Sequence, residues 1–179
     1  MIIKSFKSKP GTGYKWYVVY TQPRAEKKAA EYLTERNISY YLPLITTIRQ
    51  WSDRKKKVEL PLFPSYLFVY VSQKEYYEVL NIAGISRYLF FEGKPASISQ
   101  KEIDQIKMLL NADINLEVSH EKILPGEIIE ITHGPLRGIR GEMVQYKGER
   151  KVAIRIKQID FSLLIQVGVG MVKVVPSGS

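Results

Sequence analysis

The chain has 179 residues, 45% of them hydrophobic and 25% charged, which is enough apolar material for packed cores and too much for wholesale disorder. It contains no cysteine, which excludes disulfides and thiolate metal sites and suits a reducing cytoplasm. Its net charge of +9 is concentrated: residues 1–57 hold thirteen Lys/Arg against four Asp/Glu, residues 58–113 five against seven, and residues 114–179 nine against seven. Such asymmetry fits either a polyanionic partner or a solubilising surface.

Residues 1–13 alternate lysines with polar residues and lack an apolar secretory core, so they read as a loose arm. Residues 15–21 read as a strand, with Trp16, Val18 and Tyr20 opposite Tyr17 and Val19. Pro23 suits the first position of a helix that runs to about Asn37 and buries Ala25, Ala29, Tyr32 and Leu33. Residues 39–48 and 58–71 read as strands, and Arg49-Gln50-Trp51-Ser52-Asp53-Arg54-Lys55-Lys56-Lys57 between them as a basic hairpin tip. A short helix over 73–82, a strand over 85–91 and a turn at Glu92-Gly93-Lys94-Pro95 follow. Ser99, with Glu102 three residues on, is a capping box for a helix reaching about Leu110. Strands interleaved with helices give residues 14–111 an α+β reading, an antiparallel sheet flanked by helices.

The run Pro61-Leu62-Phe63-Pro64-Ser65-Tyr66-Leu67-Phe68-Val69-Tyr70-Val71 is apolar on both faces. Leu67, Val69 and Val71 share one face, and Tyr66, Phe68 and Tyr70 the other. The second face is either covered by a helix or a docking surface.

Residues 112–121 have few large apolar side chains and read as a linker. Residues 122–176 carry only strand signals, in five runs at 127–132, 141–147, 151–157, 162–167 and 171–175, the spacing of a small all-β barrel. In the turn His133-Gly134-Pro135-Leu136-Arg137-Gly138-Ile139-Arg140-Gly141, Gly138 suits a positive φ and Gly141 a close backbone approach. With Ile128, Ile129 and Ile131 before it and Met143 and Val144 after, this segment resembles the KOW motif.

No catalytic constellation is visible. The two histidines, His120 and His133, have no nucleophile or carboxylate cluster beside them in sequence, and Asp53 and Asp160 are isolated in turns. No phosphate-binding glycine loop appears, so no cofactor, metal or enzymatic activity is expected. The longest apolar stretch is broken by prolines and too short to span a bilayer, so no membrane association is expected either.

Trp16-Tyr17-Val18-Val19-Tyr20, Leu62-Phe63-Pro64-Ser65-Tyr66-Leu67-Phe68-Val69, Gly84-Ile85-Ser86-Arg87-Tyr88 and Pro95-Ala96-Ser97-Ile98-Ser99, followed by a KOW block, resemble in this order the NusG family. The resemblance covers residues 14–175. Arg49-Gln50-Trp51-Ser52-Asp53-Arg54-Lys55 with Pro61-Leu62-Phe63 looks most like the operon-specific RfaH and UpxY antiterminators. The implied layout is an N-terminal NusG domain (14–111), a linker (112–121) and a KOW barrel (122–176).

The implied function is transcription elongation and antitermination. Tyr20, Phe63, Tyr66 and Phe68 would dock on the clamp helices of RNA polymerase. Arg24, Lys27 and Lys28 open the first helix against its dipole. With Arg36, Arg49, Arg54, Lys55, Lys56 and Lys57 they would form an electropositive surface for the non-template DNA strand or a leader RNA, with Trp51 stacking on a base. Tyr76 stands where relatives of the RfaH type carry a second polymerase contact. Arg137, Arg140, Phe161 and Ile165 would meet the KOW partner, a small-subunit ribosomal protein or the termination factor Rho. A monomeric cytoplasmic protein is expected. The alternative is a KOW-containing RNA-binding or ribosome-associated protein.

Overall fold

Alternation at period two makes Lys15–Thr21 a strand, β2, and its partner is β6 (Tyr66–Val71), paired antiparallel from Lys15↔Val71 to Tyr20↔Tyr66. In the computed structural model, residues 4–5, 13–50, 55–112 and 114–176 are described. The chain divides into two units, Met1–Gln100 and Lys101–Ser179.

The first unit is built on a sheet in which β1 (Lys4–Ser5), β3 (Ser39–Leu42), β6, β2 and β10 (Ser97–Ile98) lie in that order, with β7 (Ile85–Tyr88) also pairing β2. One face carries Val19, Tyr40, Leu42, Leu67, Val69 and Val71. These pack with Ala29, Ala30 and Leu33 of α1 (Glu26–Glu35) and Val79 of α2 (Tyr76–Val79). The other face is aromatic: Trp16 lies 5.0 Å from Tyr70, and Tyr41 stacks on Phe68 at 6.1 Å between ring centroids. The Trp16 indole N–H donates to Gln100 Oε1 at 2.8 Å.

Prolines and a left-handed residue redraw several expected boundaries. Pro43 divides the expected strand over 39–48 into β3 and β4 (Leu44–Gln50). The expected strand over 58–71 becomes β5 (Lys55–Pro61) and β6, separated at Leu62-Phe63-Pro64-Ser65. α1 starts at Glu26, not Pro23, because Arg24 has φ 63 and cannot begin a right-handed helix. β4 and β5 form a two-stranded ribbon of their own, in register from Leu44↔Pro61 to Gln50↔Lys55. The strand expected over 85–91 becomes β7 and β8 (Phe90–Phe91), which pairs with β9 (Lys94–Pro95). The arm expected to be loose contributes β1, an edge strand on β3.

The second unit begins with α3 (Gln100–Asn111), which buries Ile103, Ile106 and Leu109 at helical spacing. All five expected KOW strands form: β12 (Glu127–Ile131), β13 (Arg140–Tyr146), β14 (Glu149–Ile156), β15 (Phe161–Ile165) and β16 (Val172–Val174). The segment expected to be a plain linker supplies a sixth, β11 (Leu116–Ser119), and the ladder runs β11-β15-β14-β13-β12-β16. Ile129, Ile131, Val152, Ile154, Ile156, Leu163 and Ile165 are buried. A smaller cluster of Ile123, Val144, Tyr146, Ala153 and Leu164 packs separately. Gly138 has φ 87, and a Cβ at Gly141 would lie 2.8 Å from the Ala153 carbonyl oxygen, as the two expected roles require.

Charge pairs tie this sheet across strands. Glu117 on β11 accepts from Lys151 at 2.6 Å and Lys147 at 3.0 Å, and Arg155 donates to Glu142 at 2.8 Å. The hydrogen bonds from Lys151 and Lys147 hold the Glu117 carboxyl below its ordinary range, and the bond from Arg155 does the same for Glu142. A carboxylate with a lower pKa folded than unfolded stabilises the fold above its unfolded value. That contribution is lost as pH falls through the folded value. The unfolding temperature, followed by circular dichroism, is therefore expected to drop once pH falls below about 4.3. Glu142→Gln is expected to lower it at pH 7, by an amount that shrinks as pH falls below the ordinary carboxylate range.

Candidate docking surface and nucleic-acid interface

At one end of the central strand pair, Tyr20 and Tyr66 are cross-strand neighbours, and their rings meet edge to face at 5.5 Å. On the other flank of Tyr20 stands Arg87 of β7, its guanidinium 4.9 Å from the Tyr20 ring centroid. Both tyrosines are half-buried and Arg87 is exposed. The corner is held from behind. Ser65, at φ 67, donates its N–H to the Glu26 carboxylate at 2.7 Å and accepts from Thr21 N–H at 2.9 Å. Tyr66 N–H closes the turn on the Phe63 carbonyl at 3.2 Å. Glu26 is itself only 5% exposed, although it stands at the start of α1.

Phe63 and Phe68 do not belong to an open surface. Both are fully buried, with ring centroids 6.2 Å apart, and Phe68 also stacks on Tyr41. A phenyl ring has no polar tip to keep wet, and neighbouring aromatics enclose these two. The exposed part of the expected patch is thus Tyr20 and Tyr66, to which Arg87 must be added. The available sign of Arg87 is the polar pair Ser86-Arg87 between apolar residues: Ile85 and Tyr88 are buried, and the two residues between them are exposed.

The basic residues separate into groups. Lys27 is a brace: its ammonium donates to the Glu59 carbonyl at 2.8 Å and lies 4.0 Å from the Glu59 carboxylate, fixing the root of the β4–β5 ribbon to α1. Arg24 is exposed in the turn before α1, and Lys28 sits 5.7 Å from the Tyr32 ring. Arg36 is exposed at the opposite end of the ten-residue α1, about 15 Å from its start. Distance therefore removes it from the group at the helix start. Lys55, Lys56 and Lys57 are all exposed along β5. Arg49 pairs with Lys56 in the ladder, while Trp51 and Arg54 lie outside the described residues.

Tyr76 is committed to packing. Its ring stacks on Tyr88 at 3.9 Å and meets Tyr17 edge-on at 5.3 Å, while its carbonyl accepts from the Tyr88 hydroxyl at 2.8 Å. Burial pushes the Tyr88 phenol well above its ordinary range, with the neighbouring Tyr76 adding to the shift. Tyr77, 70% exposed, meets the Tyr76 ring edge-on at 5.4 Å. In the second unit, Arg137 is exposed, Arg140 is paired with Glu130 at 2.9 Å, and Phe161 is half-buried 6.0 Å from the His120 ring. Ile165 is fully buried, opposite Leu116 of β11 and Val152 of β14, so it is a core residue and not a partner contact. Among the described residues no cluster of His, Asp or Glu is placed to hold a metal, and no helix is long and apolar enough to cross a membrane.

Removing the acceptor at Glu26 leaves the partly buried Ser65 N–H without its partner. Glu26→Ala is expected to cost about 1–3 kcal/mol in a denaturant titration. Glu26→Gln, which keeps an acceptor oxygen, is expected to cost less.

The family described as transcription termination factor nusG matches residues 14–107. The transcription termination/antitermination protein NusG of Rickettsia conorii is 29% identical over 156 residues, covering 79% of this chain and 81% of the relative. That of Rickettsia felis is 30% identical over the same coverage. A solved structure addressing domain interaction in Thermotoga maritima NusG aligns over 91% of this chain and 98% of that one, at 20% identity and a TM-score of 0.49. With its α+β first unit, a second unit of one helix and a six-stranded sheet, and a family match over more than half its length, the chain belongs to the NusG family of transcription termination factors.

Proposed function

We propose that this protein is a transcription elongation and antitermination factor that grips RNA polymerase through the corner formed by Tyr20, Tyr66 and Arg87. The observation that carries this reading is the corner itself: two amphipathic rings and a cation, partly exposed, at the end of a strand pair that is otherwise packed on both faces. Tyrosine and arginine are the residue types that dominate binding energy at interfaces, because each offers a large apolar body with a polar end. The clamp helices of the polymerase are the surface this corner would meet. Phe63 and Phe68 would support it as packed neighbours without touching the partner.

The factor does no chemistry in this reading. Binding across the polymerase cleft favours the closed, elongating state by the difference between its affinities for the closed and open states. Pausing and termination fall accordingly. Arg24, Lys28 and the lysines of the ribbon face nucleic acid, either the non-template strand or a leader transcript, and such contacts would make action operon-specific. The exposed Arg137 and half-exposed Phe161 of the KOW unit present a surface for Rho or a small-subunit ribosomal protein. The protein would act in the cytoplasm as a monomer.

A pull-down with core RNA polymerase tests the central claim. Tyr66→Ala and Arg87→Ala are each expected to weaken binding about tenfold or more, with circular dichroism and melting temperature close to wild type. Phe68→Ala is expected to lower the unfolding free energy by a core-truncation amount, about 3–5 kcal/mol in a denaturant titration. Wild-type affinity in both corner variants, or co-purification with ribosomal particles in place of polymerase, would overturn the reading.

A further inference from the structure

The corner formed by Tyr20, Tyr66 and Arg87 is asymmetric in charge. Directly opposed residues of paired strands share a face, so Arg87, Tyr20 and Tyr66 stand in one row across β7, β2 and β6. Neighbouring strands lie about 4.8 Å apart, which makes the row roughly 10 Å long. Two of its members are rings with a polar tip, and the third is a full positive charge. The Arg87 guanidinium lies over the Tyr20 ring at 4.9 Å, and no carboxylate among the described residues forms an ion pair with it. The carboxylate behind the corner, Glu26, is engaged by the Ser65 N–H. A ring face attracts a cation, but it neither cancels the charge nor accepts the guanidinium N–H groups as a carboxylate does.

We infer that the polymerase helix docking here carries an Asp or Glu for Arg87, one turn away from the apolar side chains that meet Tyr20 and Tyr66. The inference names the chemistry of the partner surface and rests on the polymerase reading proposed above. Charge complementarity carries it. An entirely apolar surface laid over this row would shut an unpaired guanidinium away from water, which is strongly unfavourable. A basic surface would add repulsion. A carboxylate turns the same burial into a charge-assisted contact whose planar fork matches the guanidinium. Spacing fits a helix. Residues i and i+4 of a helix stand about 6 Å apart on one face, and i and i+7 about 10.5 Å. One helix laid across the strands therefore reaches all three side chains of the row. The partner signature is an acidic residue with apolar residues three or four and seven positions away on the same face. Arg87 then sets which surface is accepted, while Tyr20 and Tyr66 supply contact area.

The test uses the full-length protein and core RNA polymerase free of nucleic acid. Affinity is expected to fall in the order wild type, Arg87→Lys, Arg87→Met, Arg87→Glu. Arg87→Met keeps a long apolar stem without the charge and is expected to bind about tenfold more weakly. Arg87→Lys keeps the charge and is expected to recover part of that loss. Arg87→Glu sets like charges against each other and is expected to bind about a hundredfold more weakly. Arg87 is exposed, so all three variants are expected to melt as the wild type does. Each exposed Asp and Glu of the clamp helices is then changed singly to Lys. One of these changes is expected to weaken binding of the wild type and to restore Arg87→Glu about tenfold. Arg87→Met binding as tightly as Arg87→Lys would show that bulk suffices and overturn the inference, as would the lack of any restoring change. So would a loss of affinity for single-stranded DNA in Arg87→Met with polymerase binding intact, which would make Arg87 a phosphate contact. In each of these cases a weakened Tyr66→Ala leaves the docking corner standing without an acidic partner. Wild-type affinity in Tyr66→Ala and in every Arg87 variant would overturn both.

Discussion

The first unit depends on the pairing of β2 with β6. Six residue pairs, from Lys15↔Val71 to Tyr20↔Tyr66, place an apolar or aromatic side chain on each face at nearly every step. One face meets α1 and α2 and forms the core; the other stacks rings along the sheet. A slip of one residue would exchange the two faces and put valines where the rings belong, so the register is specified by packing on both sides. The candidate docking corner is simply where this doubly packed pair runs out.

The turn before β6 links that packing to function. Ser65 adopts a left-handed conformation that a non-glycine residue takes at a cost. The cost is offset by two backbone bonds and by the Glu26 carboxylate, delivered from the first residue of α1. Helix, turn and corner are therefore one mechanical unit. Lys27, the next residue along, does a parallel task on the ribbon side by holding the Glu59 carbonyl. Two adjacent residues of opposite charge thus set the position of both candidate interfaces.

Much of this was legible in the sequence because it rests on periodicity. The bounds of β2, all five KOW strands and the helix from Gln100 follow from alternation, turn residues and a capping box. What periodicity could not resolve was which apolar residues remain wet. Phe63 and Phe68 look like Tyr20 and Tyr66 in a one-dimensional pattern, and only the packing around Tyr41 separates them. Arg87 is not legible in local sequence because its place beside the Tyr20 ring is set by a cross-strand pairing 67 positions apart. The burial of Ile165 is likewise set by distant neighbours, among them Leu116 opposite it on β11, in a stretch too polar to be read as structure. Lys27 looks like a phosphate contact in sequence because its bond to a backbone carbonyl across the fold has no local signature.

β11 also decides how the KOW sheet can be approached. A sheet offers its unpaired margins to any extended peptide that can hydrogen-bond to them. Here the margin of β15 is already taken by the chain itself, and a carboxylate clasped by two ammonium groups secures it. Strand addition by another protein is left with two short rims: the outer edge of β11, four residues long, and that of β16, three residues long with a lysine in the middle. Recognition through side chains on the turns is thereby favoured over recognition through main-chain docking.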